Sequence, residues 1–304
     1  MSETRLNISA VERDLGLSKD VLRVWERRYG FPMPERDAHG ERLYPLAQIE
    51  RLRLIKRLMD LGHRPGRLMA SSLEDLNSLV SLRPSPASNA ASQGHEQALE
   101  GLMALIKQHD AAGYTLALQQ QLARDGLQRF VQDTMAPMSS LIGQAWEDGR
   151  VEVFEEHLFT ELSNRVLRQA IAGVTGGQAP RVMLTSLPDE PHGLGLLMVE
   201  GLLSLEGGHC IPLGTEMPML SIVEAARAHR ADVVALSFSA AFPARQIPGL
   251  LQQLRDLLPT GVALWAGGSG VARLAPLAGV QLMVALADVQ GAINGWRQQT
   301  ATQA

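Results

Sequence analysis

The stretch SLPDEPHGLGLL, residues 186–197, carries a histidine between a proline and two glycines. Imidazole is a good ligand for a borderline transition metal. Glu190, two residues before His192, can accept the proton of the other ring nitrogen and so raise the basicity of the ligand. The spacing of Glu190 and His192 therefore predicts a ligand to a metal centre, and the alternative is an ordinary loop histidine at the surface.

The surrounding sequence predicts the element that positions this loop. Residues 181–297 contain five short apolar runs, RVMLTSL, HCIPL, DVVALSF, VALWAG and VQLMVA, separated by helical patterns. This alternation is typical of a Rossmann-like, doubly wound parallel sheet, in which ligands bind beyond the carboxyl ends of the strands. His192 follows the first run, Ser237 and Ser239 end the third, and Gly267 and Gly268 end the fourth. We expect these residues at one edge of the sheet, with glycines that leave room for a bulky ligand.

These residues resemble the cobalamin-binding fold of methionine synthase and the mutases. The family pattern of Asp-x-His-x-x-Gly, Ser-x-Leu and Gly-Gly appears here as EPHGLG, SFS and GG, with Gly195 as the last residue of the first motif. Glu190 stands where the family has Asp, and Ser239 where it has Leu. The resemblance implies base-off binding, in which the lower base of cobalamin leaves cobalt and His192 takes its place.

The first 70 residues predict a domain that meets a polyanion. They hold 14 Lys and Arg against 10 Asp and Glu, whereas the whole chain has a net charge of −4. ISAVERDLGLSKDVLRVWERRYG predicts two short helices, which Ser9 and Ser18 can cap. The second helix turns Val21, Leu22 and Trp25 inward. This is the helix-turn-helix arrangement, and the alternative is an ordinary pair of surface helices.

A hairpin wing, GFPMPERDAHGERLYP, is predicted after the second helix, with its tip at His39 and Gly40. The candidate DNA contacts of helix and wing are Lys19, Arg23, Arg27, Arg28, Arg36, Arg42 and Tyr44. Residues 8–66 resemble the DNA-binding head of the MerR family of transcription regulators, in the variant joined to a cobalamin-binding tail. The resemblance implies a double-stranded DNA operator as the partner.

The middle of the chain shows four amphipathic helical patterns, with breaks at Gly126 and Gly149. The last two patterns form an antiparallel pair around the turn EDGR, so Trp146 lies just before this turn and Glu156 and His157 just after it. Alone, these residues are most simply a core tryptophan and two surface residues. Their spacing, however, resembles the motif of CarH-type light-responsive regulators. That resemblance implies that they cover the upper face of adenosylcobalamin.

One position departs from the CarH-type pattern. A histidine follows the motif tryptophan in that family and becomes the second axial ligand after light breaks the cobalt–carbon bond. Here the residue is Glu147. A carboxylate is a harder ligand than imidazole and a poorer match for cobalt(III), so residue 147 is not expected to form such a product.

Length and composition predict a multidomain α and α/β protein. We expect a winged helix-turn-helix domain over residues 1–80, a linker over 81–94, a four-helix bundle over 95–175 and a five-stranded cobalamin-binding domain over 180–300. The single cysteine, Cys210, excludes an internal disulfide and a zinc site built on paired cysteines. Without an apolar signal region or an 18-residue apolar window, the protein is expected to be cytoplasmic and not bound to a membrane.

These features predict a DNA-binding transcription regulator and not an enzyme. The first hypothesis is a repressor controlled by adenosylcobalamin and light through its oligomeric state, as a dimer or tetramer. One alternative is a cobalamin sensor without light switching, for which Glu147 is the reason. A corrinoid-dependent enzyme or carrier is disfavoured by the fused basic head, and a regulator with an empty pocket is disfavoured by the intact motif set.

Overall fold

The computed structural model describes residues 5–37, 39–60, 63–76, 86–174 and 177–303. The chain forms two compact units, residues 1–166 and 167–304. The described residues include no helix that is both long enough and apolar enough to cross a membrane.

The first unit begins with a small winged domain. Its elements are β1 (Arg5–Asn7), α1 (Ile8–Leu15), α2 (Lys19–Tyr29), β2 (Glu35–Arg36), β3 (Arg42–Pro45), α3 (Leu46–Asp60) and α4 (Pro65–Ala70). The three strands form an antiparallel sheet in the order β1-β3-β2. Buried residues of α1, α2 and α3, among them Leu15, Leu22 and Ile55, form one core. The predicted helix-turn-helix and wing are therefore present.

The helix caps differ in part from the prediction. Ser18 caps α2, because its hydroxyl accepts a hydrogen bond from Val21 N at 3.3 Å. The cap of α1 is Asn7 and not Ser9, since the Asn7 side chain accepts from Ala10 N at 2.9 Å. Strand β1 ends at Asn7, so the chain enters the helix two residues earlier than predicted.

The second half of this unit is helical. It contains α5 (Pro86–Lys107), α6 (Ala111–Arg129), a π-helical turn (Phe130–Met135), α7 (Ala136–Glu147) and α8 (Val153–Ala172). The predicted break at Gly126 is present as a residue with φ 77° and ψ 162° inside α6. Residues 86–94, predicted as part of the linker, belong to α5; residues 81–85 of that linker lie outside the described residues.

The second unit is a doubly wound α/β domain, as predicted. Its elements are β4 (Arg181–Thr185), α9 (Leu194–Leu205), β5 (His209–Pro212), α10 (Met219–Ala228), β6 (Val233–Ser237), α11 (Ile247–Leu257), β7 (Ala263–Gly267), a 3-10 turn (Ser269–Val271), β8 (Val280–Met283) and α12 (Asp288–Gln303). All five strands are parallel, in the order β5-β4-β6-β7-β8.

Strand pairing and helix packing fix the positions of the carboxyl ends of the central strands. Met183 of β4 is paired with Val234 of β6, and Ser237 with Gly267 of β7. Buried residues of α10 and α11, such as Ile222 and Leu251, pack on one face of these strands. Helix α9 also contacts β4 and β6, and the paired central strands β4, β6 and β7 hold the loops that follow them side by side.

Candidate functional site

The loop after β4 holds His192 against a buried carboxylate. His192 Nδ1 lies 2.6 Å from Glu190 Oε1, and the backbone N–H of His192 donates to the same oxygen at 3.2 Å. The side chain of Glu190 is 1% exposed, whereas that of His192 is 54% exposed. With Nδ1 bound to Glu190, coordination of a metal would use Nε2. The predicted contact between these two side chains is present.

Glu190 also connects this loop to the loop after β6. Its second oxygen, Oε2, accepts a hydrogen bond from Ser239 N at 2.6 Å. Burial works to raise the pKa of Glu190, but the hydrogen bonds from His192 and Ser239 outweigh it and hold the pKa below its ordinary value. The carboxylate therefore stays ionised although it is buried, which fixes the orientation of the imidazole.

Ser186 holds the backbone of the loop, a role that sequence reasoning missed. Its hydroxyl donates to Glu190 O at 2.5 Å and accepts from Glu216 N at 2.9 Å. Ser186 is fully buried directly after β4, and Glu216 follows β5. Three neighbouring loops are thus joined around Glu190. A buried serine next to a strand was the only available signal, and that signal is common in packed proteins.

Small residues line the same edge of the sheet. A Cβ placed on Gly195, in the first turn of α9, would lie 3.1 Å from Ser237 Oγ at the end of β6. Gly268 has φ 97°, and a Cβ there would overlap the carbonyl oxygen of Phe238. Glycine therefore permits the close packing of α9 on the end of β6 and of the segment after β7 on Phe238. The structure brings together the predicted set of Glu190, His192, Gly195, Ser237, Ser239, Gly267 and Gly268 at this edge.

The donor set fits a corrinoid better than a bare metal ion. Among the described residues, no group of three His, Cys, Asp or Glu side chains is placed to hold a metal ion. A single histidine is enough for cobalt in a corrin, because the macrocycle supplies the other ligands. An exposed imidazole with a buried carboxylate behind it matches that requirement.

The second predicted set lies in the bundle, at the turn between α7 and α8. Trp146 is 51% exposed and is therefore not a core residue. Glu156 Oε2 lies 2.8 Å from His157 Nδ1, and its Oε1 accepts from Thr160 Oγ1 at 2.9 Å. Val153 and Phe154 are also exposed at the start of α8. An indole and two apolar side chains beside a carboxylate form a surface that suits an apolar ligand with hydroxyl groups.

An ion pair between an exposed lysine and a buried glutamate, which sequence reasoning also missed, fixes the start of α8. Glu155 is 3% exposed and accepts from Lys107 Nζ at 2.8 Å and from Glu152 N at 2.8 Å. Its other oxygen lies 3.2 Å from His109 Nε2, and the His109 ring packs on Phe154 with centroids 5.3 Å apart. The hydrogen bond from Lys107 is the main cause that holds the pKa of Glu155 below its ordinary value.

The predicted DNA-binding cations lie on the winged domain. Arg23, Arg27, Arg28 and Arg36 are exposed, whereas Lys19 and Arg42 are half-buried. Three of the predicted cations have acidic partners within the domain: Lys19 with Glu12 at 3.7 Å, Arg23 with Asp20 at 3.1 Å and Arg42 with Glu26 at 2.9 Å.

The prediction that Tyr44 contacts DNA is wrong for this structure. Its side chain is fully buried in the core of the winged domain, and burial raises its pKa. Tyr44 lies two residues after Arg42, so both point to the same face of β3, where Arg42 binds Glu26 of α2. That face packs against the domain and not against solvent.

Comparison with known proteins agrees with this division of the chain. Residues 6–68 match the MerR HTH family of regulatory proteins. Residues 98–171 and 180–286 match two families of B12 binding domain. These three matches coincide with the winged domain, the bundle and the sheet domain.

Two curated relatives align with most of the chain. The HTH-type transcriptional repressor CarH of Myxococcus xanthus is 29% identical over 272 residues, which is 88% of this chain and 90% of CarH. The repressor CarA of the same organism is 27% identical over 268 residues, which is 87% of each chain. Among solved structures, the monomethylamine corrinoid protein of Methanosarcina barkeri covers 65% of this chain and 97% of its own, with a TM-score of 0.54 and 15% identity. This last likeness shows the fold alone.

Proposed function

We propose that this chain is a repressor of the MerR and CarH type that is controlled by adenosylcobalamin and light; its MerR HTH match, its two B12-binding matches and its homology to CarH and CarA support this proposal. The signal acts through the oligomeric state of the protein. The observation that supports the proposal most is the hydrogen-bonded pair of His192 and Glu190 at the carboxyl edge of the sheet.

In this proposal His192 Nε2 is the protein ligand of cobalt. Glu190 orients the imidazole and keeps Nδ1 protonated, so that the lone pair on Nε2 faces the metal. The edge of the sheet with Gly195 and Ser237 would contact the nucleotide tail. In the bundle, Trp146, Glu156 and His157 would contact the adenosyl group, and the Glu156 carboxylate would accept hydrogen bonds from its hydroxyl groups. Bound adenosylcobalamin would supply a cobalt–carbon bond that light can break.

The winged domain binds the phosphates of double-stranded DNA. The basic residues of α2 and the wing approach the backbone, and the N-terminal part of α2 enters the major groove. Binding to phosphate requires Lys19, Arg23 and Arg42 to exchange their present carboxylate partners for DNA. No catalytic role is proposed for the chain, in line with its homology to two transcription repressors.

An absorption titration with adenosylcobalamin tests the cofactor assignment. We expect wild-type protein to give the base-off spectrum, and we expect the His192→Ala variant to lose most of its affinity. His229→Ala is the matched control, because His229 is exposed at the end of α10, away from the carboxyl edge. Equal affinity of wild type and His192→Ala would contradict the assignment. Size-exclusion chromatography in the dark and after green light then tests the control by light.

A cobalamin sensor without light switching is the second candidate, and Glu147 is the observation that favours it. This carboxylate is exposed at the end of α7, next to Trp146, where imidazole would be the better cobalt ligand. If light leaves the oligomeric state of wild type unchanged but alters that of a Glu147→His variant, the second candidate is correct. A light response of wild type that equals that of the variant would support the first.

A further inference from the structure

Two glycines bring the backbone of the winged domain into direct contact with the bundle. Helix α1 ends at Gly16, which has φ 62° and donates its N–H to Glu12 O. Helix α6 is broken at Gly126. A Cβ on Gly126 would overlap the carbonyl oxygen of Asp14, and a Cβ on Gly16 would overlap that of Arg124. We call the close approach of Gly16 to Arg124 and of Gly126 to Asp14 the glycine contact.

Helix geometry alone does not explain the glycine contact. A glycine with positive φ is the usual end of a helix, so Gly16 would be expected there without any partner. Gly126 lies at a kink between two helical segments of α6, and its ψ of 162° differs from the ψ of 23° at Gly16, so it is not an ordinary left-handed helix end. Its combination of φ 77° and ψ 162° is a conformation that essentially only glycine adopts. The break in α6 therefore has its clearest reason in the approach of α1.

The glycine contact holds the winged domain as a unit. Asp14, whose carbonyl lies against Gly126, is a buried residue of α1, and its carboxylate binds Arg53 of α3 at 3.0 Å. Because α1 is joined to α3 in this way and shares a core with α2, a constraint on α1 acts on the whole domain.

The glycine contact lies directly before the helix that is expected to meet DNA. Gly16 lies two residues before Ser18, the cap of α2. The N-terminal residues of the second helix are those that reach the base edges in a helix-turn-helix complex. In this state Lys19, the first residue of α2, binds Glu12 of α1 through both its backbone N–H, at 3.1 Å, and its ammonium group. The bundle thus lies beside the turn that a DNA duplex must approach.

We infer that the glycine contact is autoinhibitory. While α6 holds the turn at Gly16, α2 is unable to enter the major groove, and DNA binding requires the winged domain to leave Gly126. The inference rests on the proposed DNA binding. It predicts that the measured affinity for DNA equals the intrinsic affinity multiplied by the fraction of molecules in which the contact is open.

Four full-length variants test the inference. Gly16→Ala and Gly126→Ala each place a methyl group into the glycine contact from opposite sides. Gly30→Ala and Gly149→Ala are the matched controls, because these residues have φ 67° and 66° but nothing lies within 4 Å of the added Cβ. Gly30→Ala matches Gly16→Ala in backbone strain, because both glycines end a helix in the left-handed conformation, and Gly149→Ala adds a methyl group at a positive φ without an overlap. The use of two independent variants keeps the test valid if one of them fails to fold.

Two measurements are made on each variant. The first is hydrogen exchange of the peptide that covers residues 8–22, which reports on the contact without DNA. The second is fluorescence anisotropy with a 30-base-pair duplex of mixed sequence at low salt. If the contact is closed in about nine molecules of ten, its loss should strengthen duplex binding about tenfold. We expect faster exchange in Gly126→Ala but not in Gly149→Ala, and tighter binding by Gly16→Ala and Gly126→Ala but not by either control.

The outcomes separate this inference from the proposed function. If wild type binds the duplex and the two contact variants bind it no more tightly than their controls, the inference is wrong and the proposed function stands. If none of the proteins binds the duplex, the proposed DNA binding fails, and the inhibition fails with it. Unchanged exchange over residues 8–22 in Gly126→Ala would also overturn the inference, because the contact would then not exist in solution.

Discussion

Replacement of Glu190 by glutamine should weaken corrinoid binding through the histidine that it holds. The carboxylate accepts from Ser239 N at 2.6 Å and pairs with His192 Nδ1 at 2.6 Å. A glutamine keeps only one acceptor oxygen. If that oxygen faces Ser239, the NH₂ group meets His192 Nδ1 and favours the tautomer in which Nε2 carries the proton and is unable to bind a metal. If it faces His192, two donors meet at Ser239 and the link between the loops is lost.

The magnitude follows from the hydrogen bond that is lost in either orientation. A hydrogen bond to a buried charged group contributes about 1.5–3 kcal/mol. This corresponds to a change in Kd of about 10- to 100-fold. Loss of a carboxylate that orients a metal-binding histidine has effects of the same size. We therefore expect Glu190→Gln to weaken the binding of adenosylcobalamin by about one to two orders of magnitude.

An absorption titration of purified protein measures this effect. Asp189→Asn is the matched control, because it removes the same charge from the neighbouring, exposed residue. If the Kd of Glu190→Gln for adenosylcobalamin is within about twofold of that of Asp189→Asn, the argument for an oriented imidazole is refuted.

The pH dependence of the free energy of unfolding is a second readout. Because the pKa of Glu190 is lowered in the folded protein, the ionised carboxylate increases the free energy of unfolding at pH values above the ordinary pKa of glutamate. This contribution is lost as the pH falls through the lowered pKa. The glutamine variant should not show that loss.

Three further predictions concern DNA binding and stability. The log–log dependence of duplex affinity on salt should have a slope of about −5 for about six phosphate contacts, and Arg27→Ala should reduce it by about 0.9; a salt-independent affinity would contradict a basic DNA face. Burial raises the pKa of Glu200 although Arg168 opposes the shift. Stability is then lost as the pH rises through the raised pKa, so Glu200→Gln should raise Tm more at pH 8 than at pH 5, with exposed Glu224→Gln as the control. Lys107→Met should lower the free energy of unfolding by about 1 kcal/mol, because the Glu155 carboxylate loses its partner while the pair remains partly solvated; denaturant titration should show no loss when Glu155→Gln is already present.

The sequence predicted those parts of the structure that depend on strong local patterns. Five short apolar runs predicted β4 to β8, and because parallel strands end at one edge, they also predicted that the loop of Glu190 and His192 would meet Ser239. The three-residue strand β1 carries too short a pattern to be detected, and without it the cap of α1 was assigned to the wrong residue. The burial of Tyr44 depends on which face of β3 packs against α2. A strand of four residues has too short an alternation of apolar and polar residues to specify this face.

Contacts between side chains that are far apart in the chain could not be predicted from the spacing of residues in the sequence. Lys107 and Glu155 are 48 residues apart, and nothing in the local sequence of either one indicates the other. The break at Gly126 was predicted from its residue type, but its partner Asp14 lies in another part of the chain. Contacts of this kind depend on how preformed helices pack, and the local pattern of each helix is compatible with many partners.

The π-helical turn before α7 sets the direction in which Trp146 faces. In this turn Ala136 N donates to Val131 O, five residues back and not four, so the turn holds one residue more than an α-helix would. Each residue of an α-helix advances the side-chain direction by about 100°. If the same six residues were α-helical, the side chains after them would be rotated by about 100° around the axis of α7, whereas deletion of one of the six would restore ordinary helical bonding and leave the direction of Trp146 and Glu147 nearly unchanged. The wider turn thus lets the bundle carry one additional residue while Trp146 and Glu147, more than ten positions away, keep the angular phase of a helix that is one residue shorter.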